Sequence, residues 1–132
     1  MSVVGIGTDI VHTPRISRII SVYGMERFLK RIFTGAEMAQ ARQYPPETLD
    51  KHVAGRIACK EAVFKALGSQ QRLGWRDFSV LKVATGGLGA ELPRQLRTRF
   101  QVHLSISHDG DYATAFAMAI DTRTAHPNDQ LY

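Results

Sequence analysis

The chain has 132 residues, 44% of them apolar and 22% charged, the balance of a globular protein with enough chain for one core. Its 17 Lys and Arg against 12 Asp and Glu leave a net charge of +5, which favours an anionic partner: nucleic acid, an anionic membrane, a phosphorylated ligand or an acidic protein. The single cysteine, Cys59, excludes an intrachain disulfide framework and a metal site of several thiolates, and no stretch approaches the roughly 18 to 20 apolar residues of a membrane span. The opening "SVVGIGTDIV" lacks the basic prelude and cleavage site of a signal peptide, so the cytoplasm is the expected location.

In chain order, "SVVGIGTDIV" reads as a β-branched strand buried on both faces. Thr13 then suits a helix N-cap with Pro14 at the first position, continuing through "RISRIISVYGMERFLKRI" with a break at Gly24. "TGAEMAQARQY" predicts a short helix, with Thr34 as cap and Glu37 at capping-box spacing. "YPPETLD" reads as a loop, and a long helix is expected from about Asp50 to a glycine cap at Gly68. "QQRLGWRD" is a connector. "FSVLKVAT" and "AELPRQL" flank "GGLG" as a hairpin, and "PRQLRTRF" suits a short helix. "VHLSIS" and "YATAFAMAI" are two more strands around the turn "HDGD", with His108 opening that turn. The expected fold is α+β, an antiparallel sheet packed against one long buried helix. It spans a single domain over 1–122, with an unstructured tail over 123–132.

The chemistry centres on "RIACKEAVFKALG", apolar nearly all round yet carrying Lys60, Glu61 and Lys65. Charge inside an apolar helix is costly unless it is paired or bound. Asp9, inside the first strand, and Glu61 are two carboxylates from distant parts of the chain, suited to one hard divalent cation such as Mg²⁺. The competing reading is an i,i+4 ion pair between Glu61 and Lys65 and a backbone-bonded Asp9. Lys60 and Lys65 fall on opposite sides of Glu61 on the helical wheel and suit a pyrophosphate; the alternative is that both reach solvent. In "HLSISHDGDY", His103, Ser105 and Ser107 share one strand face and Leu104 and Ile106 the other. No G-x-S-x-G elbow supports a serine hydrolase, and "GIGTDI" lacks the context of a dinucleotide fingerprint. Cys59, between alanines and apolar neighbours, reads as an inert core thiol. The stretch from Arg15 to Arg31 is strongly basic and suits either a plain surface helix or a docking face for an acidic partner. No helix-turn-helix, KH or RRM pattern points to nucleic acid.

Three blocks, "GIGTDIV", "GRIACKEAVFKALG" and "HLSISHDGDYA", taken together and in this order, resemble the holo-acyl-carrier-protein synthases, the small single-domain 4'-phosphopantetheinyl transferases. The resemblance covers residues 3–120. It implies transfer of 4'-phosphopantetheine from coenzyme A to a serine of an acidic apo-acyl carrier protein, in a Mg²⁺-dependent homotrimer with active sites between subunits. By motif position it makes Asp9 and Glu61 metal ligands and places Arg56, Lys60, Lys65, Ser105 and His108 at the coenzyme A cleft. Arg15, Ile19, Arg27 and Phe28 fall on the carrier-binding helix. For catalysis it implies Lys65 at the leaving phosphate, Glu61 as the base, directly or through a water, and His108 as the second candidate. The chain departs from the family at "HTP" after the first strand and at Gly87-Leu88-Gly89, where relatives often carry Gly-Lys-Pro. The alternative function is a non-catalytic carrier- or coenzyme-A-binding module.

Overall fold

In the computed structural model, which describes residues 1–68 and 71–123, one helix lies across one face of a five-stranded sheet. The chain runs β1 (Ser2–His12), α1 (Thr13–Tyr23), α2 (Met25–Ile32), α3 (Gly35–Ala41), α4 (Pro46–Leu67), β2 (Ser79–Lys82), β3 (Leu88–Glu91), α5 (Arg94–Arg97), β4 (Phe100–Asp109) and β5 (Tyr112–Asp121). The strands are ordered β1-β5-β4-β3-β2, each antiparallel to its neighbour. The α+β architecture expected from the sequence is therefore the one observed.

Small residues let α4 approach the sheet closely. Ala54, Ala58, Ala62 and Ala66, at helical spacing, are buried, and so are Ala113, Ala115, Ala117 and Ala119 along β5. A Cβ added at Gly5 would lie 1.9 Å from the Ala66 carbonyl oxygen, and one at Gly7 would lie 2.0 Å from that of Ala62. The glycines of "GIGTDI" thus serve helix–sheet contact. Val53, Ile57, Val63 and Leu67 complete the buried side of α4, each worth about 1.5 to 3 kcal/mol by burial.

Four local expectations are corrected. The first strand is covered on one face only: Gly7 and Val11 are buried under α4, whereas Ile6 and Ile10 are each 63% exposed. Its apolar run therefore includes an open outer face. Helix α4 begins at Pro46, well before Asp50, because proline in the first turn lacks only an N–H that has no helical partner there. The N-cap of α1 is His12, without a side-chain bond, and Thr13 is already helical. His108 lies within β4, paired with Ala113, and the turn falls beyond Asp109, with Gly110 at φ 55°.

Other signals agree. Gly24 divides α1 from α2 at φ 81°, Gly68 follows α4 at φ 77°, and Thr34 and Glu37 form the capping box of α3. The expectation for 123–132 lies outside the described residues, apart from Arg123, whose amide and guanidinium bond the Asp121 carboxylate.

Candidate functional site

The close approach of β1 to α4 brings two carboxylates together. Asp9 follows Gly7 on the strand face toward the helix, and Glu61 precedes Ala62, whose carbonyl Gly7 faces. Burial, then the neighbouring Asp9 charge, pushes the Glu61 carboxyl above its ordinary value, while Lys65 and Arg15 pull it the other way. The Lys65 ammonium, largely exposed, donates to the Thr8 carbonyl at 2.9 Å and to Asp9 Oδ1 at 3.3 Å. The competing expectation, a direct Glu61–Lys65 ion pair, is thus replaced by a Lys65–Asp9 pair. Two hard oxygen donors that repel each other form a set a divalent cation would fit. Among the described residues no group of three or more His, Cys, Asp or Glu accompanies them, which suits an ion that takes one or two carboxylates and completes its shell with water and phosphate oxygens.

A second feature lies on the other side of α4. A cleft of about 560 Å³ opens between the N-terminal half of α4, the β2–β3 turn and β4. Lys51, Arg56 and Lys82 supply positive charge to its wall, Ser105 and His108 line it from β4, and no acidic residue is among its lining. Arg56 is buried, and burial draws its pKa below the ordinary value; no described carboxylate pairs with it. His108 approaches over Gly55, where an added Cβ would lie 3.1 Å from Cε1 and 3.2 Å from Nε2. A buried cation without a counter-ion, in an acid-free cleft, is arranged to receive an anion.

Helix geometry separates the two features. His52 and Glu61 are nine positions apart and so about 180° around α4, and Arg56 is about 140° from Glu61. The structure therefore joins Asp9, Glu61, Lys65 and Arg15 in one group, and Arg56, Ser105 and His108 in another. Within one chain His108 is not beside Glu61.

Lys60 belongs to neither group, which corrects its assignment to the coenzyme A cleft. Its side chain is 0% exposed and donates to Glu37 Oε1 at 2.6 Å and to the Phe78 carbonyl at 2.8 Å, with the Phe78 ring centroid 4.5 Å away. Glu37, 1% exposed, also accepts from the Thr34 amide at 2.9 Å and the Val80 amide at 2.9 Å. The pair ties α3, α4 and β2 together, and its buried charges are paired with each other and with backbone groups rather than turned to the cleft.

The expected docking helix is two helices. Arg15 and Ile19 lie on α1, Arg27 and Phe28 on α2; the arginines are exposed, while Ile19 and Phe28 pack partly against the core. Sequence reasoning missed Lys51, His52 and Lys82 in the cleft and Glu37 as the partner of Lys60. His52 stands four residues before Arg56, on the same helix face, and that spacing is legible in the sequence because the helix expected from Asp50 already contains both.

A sequence model of the 4'-phosphopantetheinyl transferase superfamily matches residues 5–117. The chain is 42% identical over 115 residues to the holo-[acyl-carrier-protein] synthase of Wolbachia sp. subsp. Drosophila simulans, covering 86% of this chain and 95% of that protein. It is also 42% identical over 127 residues to that of Chlamydia pneumoniae, covering 91% of this chain and 99% of the relative. Among solved structures, the Bacillus anthracis holo-(acyl-carrier-protein) synthase in complex with coenzyme A (3',5'-ADP) superimposes with TM-score 0.76 at 33% identity, over 89% of this chain and 96% of that one. The Neisseria meningitidis enzyme gives TM-score 0.79 at 30% identity, over 91% and 100%.

Proposed function

The chain belongs to the 4'-phosphopantetheinyl transferase superfamily, and from that membership we infer that it transfers 4'-phosphopantetheine from coenzyme A to a serine of apo-acyl carrier protein. The observation that carries the chemistry is the approach of Asp9 to Glu61, where burial first and then the Asp9 charge raise the Glu61 pKa, as expected of two carboxylates gathered to share a cation. The serine oxygen forms a bond to the phosphorus of phosphopantetheine, the bond from that phosphorus to the bridging oxygen breaks, and adenosine 3',5'-bisphosphate leaves. Glu61, directly or through a water, is the group that takes the serine proton. Among the described residues Lys65 bonds only Thr8 and Asp9, so its flexible ammonium can turn to the departing phosphate. Asp9 and Glu61 would hold Mg²⁺, which when bound supplies neutralisation of pyrophosphate charge. Arg56 and Lys51, with Ser105 and His108, receive the anionic end of coenzyme A in the cleft.

The separation of acids and cleft across α4 supports a site completed between copies. The outer sheet face, with Ile6 and Ile10 on β1 and Phe116 on β5 exposed, is the surface we assign to that self-association, as a homotrimer. His108 would then meet the acids of a neighbouring copy, as the second candidate base. Arg15, beside Glu61, begins the docking surface for an acidic carrier, and Arg27 extends it. Among the described residues no helix is long and apolar enough to cross a membrane. We assign the reaction to the cytoplasm, in keeping with the one buried, reduced cysteine, Cys59.

The test is the intact mass of purified apo-acyl carrier protein after incubation with this protein, coenzyme A and Mg²⁺. The mass should rise by one phosphopantetheine group, fail to rise with EDTA, and rise almost not at all with folded Glu61→Ala protein. Coenzyme A binding without transfer to any carrier would favour a non-catalytic binding protein. Near-wild-type turnover by Glu61→Ala would remove Glu61 from the mechanism.

A further inference from the structure

His52 is costly where it stands. It lines the cleft, is 8% exposed, and its Nε2 is a buried nitrogen without a hydrogen-bond partner among the described residues. Its ring stacks on Tyr44 with centroids 3.9 Å apart at 25°. A phenyl ring would keep that stack and fill similar space without desolvating a nitrogen, so histidine here lowers stability unless something else satisfies it. The cleft indicates what that is: Lys51 and Arg56 on α4 and Lys82 on β2 surround the space, His108 faces it from β4, and no acid lines it.

We propose that His52 is a ligand-binding residue of this cleft, whose imidazole gives a bound phosphate ester the hydrogen bond that Nε2 lacks in the free protein. This rests on the transferase reading, in which the ester is a phosphate of coenzyme A. Tyr44, in the turn before α4, covers the ring and has no side-chain hydrogen bond among the described residues, so it can move aside as the ligand enters. Burial, then Arg56 and His108, hold the His52 pKa down to about 4, so the free protein presents a neutral ring. A phosphate anion beside it raises its proton affinity, and the wild-type protein should therefore gain more coenzyme A affinity than a His52→Phe protein as pH falls from 7 toward 5.

The experiment compares wild type, His52→Phe and His52→Gln by calorimetric binding of coenzyme A and of 3'-dephospho-coenzyme A, with kcat and KM measured alongside. His52→Phe should fold with an unchanged or raised Tm and bind coenzyme A about 3- to 10-fold more weakly, the loss falling on KM rather than kcat. His52→Gln should recover part of the affinity through its amide. A loss confined to coenzyme A assigns the bond to the 3'-phosphate; an equal loss for both ligands assigns it to the pyrophosphate. Unchanged affinity of His52→Phe for both overturns the role of His52 alone. Wild-type protein that binds no coenzyme A overturns the transferase reading beneath it.

Discussion

Replacing Lys60 by methionine isolates the largest energetic claim made by the fold. Methionine keeps most of the apolar stem but removes the ammonium from Glu37 Oε1, 2.6 Å away, and from the Phe78 carbonyl, 2.8 Å away. The Thr34 and Val80 amides still donate to Glu37, yet its charge, 1% exposed, has lost its counter-ion. An unpaired charge of this kind costs about 3 to 5 kcal/mol. That is a large fraction of the roughly 5 to 15 kcal/mol total stability of a domain. Adding Glu37→Gln removes the stranded charge while leaving a carbonyl oxygen for one of the amides. The double variant should return to within about 2 kcal/mol of wild type, a recovery of at least about 1 to 3 kcal/mol over Lys60→Met alone, with Glu37→Gln alone completing the cycle. Exchanging the charges, Glu37→Lys with Lys60→Glu, should not rescue, because Thr34 and Val80 both present N–H groups to position 37. Urea unfolding followed by circular dichroism measures all four. A Lys60→Met protein within about 1 kcal/mol of wild type, with only its KM for coenzyme A raised, would refute the reasoning and return Lys60 to the ligand.

Gly7→Ala places a Cβ 2.0 Å from the Ala62 carbonyl oxygen and 2.8 Å from the Ala66 nitrogen, so α4 and β1 must part. Stability should fall by about 1 to 3 kcal/mol. Transfer should fall on the order of 100-fold as Asp9 and Glu61 separate; rates that track stability alone would show that the spacing is not critical. The His52 pKa, about 4 against 6.5, means that the unfolded chain binds more protons between those values. The proton-linked penalty of burying His52 is therefore absent above about 6.5 and grows as pH falls toward 4, and unfolding midpoints at pH 4.5 and 7 should differ less in His52→Phe than in wild type. Arg15→Glu should raise the KM for the carrier several-fold and flatten its dependence on ionic strength, with binding of coenzyme A alone unchanged; an unaffected carrier KM would place docking elsewhere.

Much of this protein is legible in its sequence because the decisive signals are local. The capping box at Thr34 and Glu37, the breaks at Gly24 and Gly68, and the alternation in "HLSISH" each depend on residues within a turn or a pleat of one another. The resemblance of the motif blocks likewise implies Asp9 and Glu61 as joint metal ligands with Lys65 at the leaving phosphate, where the residues read by themselves leave an ion pair and a backbone-bonded Asp9 equally open. Where local signals could be read two ways, they misled. Two adjacent prolines suit a loop and also a helix start at Pro46, and β-branched residues on β1 suit a covered strand and also one with an open apolar face.

What only the tertiary structure decides is which partner each charged side chain meets. Lys60 and Glu61 are neighbours in sequence, but one residue is about 100° of helix, and that rotation sends Lys60 into the core toward α3 and β2 while Glu61 faces Asp9. Glu37 is a capping residue by spacing and a buried counter-ion by packing. His52 and Arg56 share a helix face, but only the arrival of β4 and the β2–β3 turn makes that face a cleft. Composition and periodicity determined that a buried helix would cover a sheet. The close contact of Gly5 and Gly7 with Ala62 and Ala66 set the depth and angle of that helix, and with them the side on which each charge came to rest.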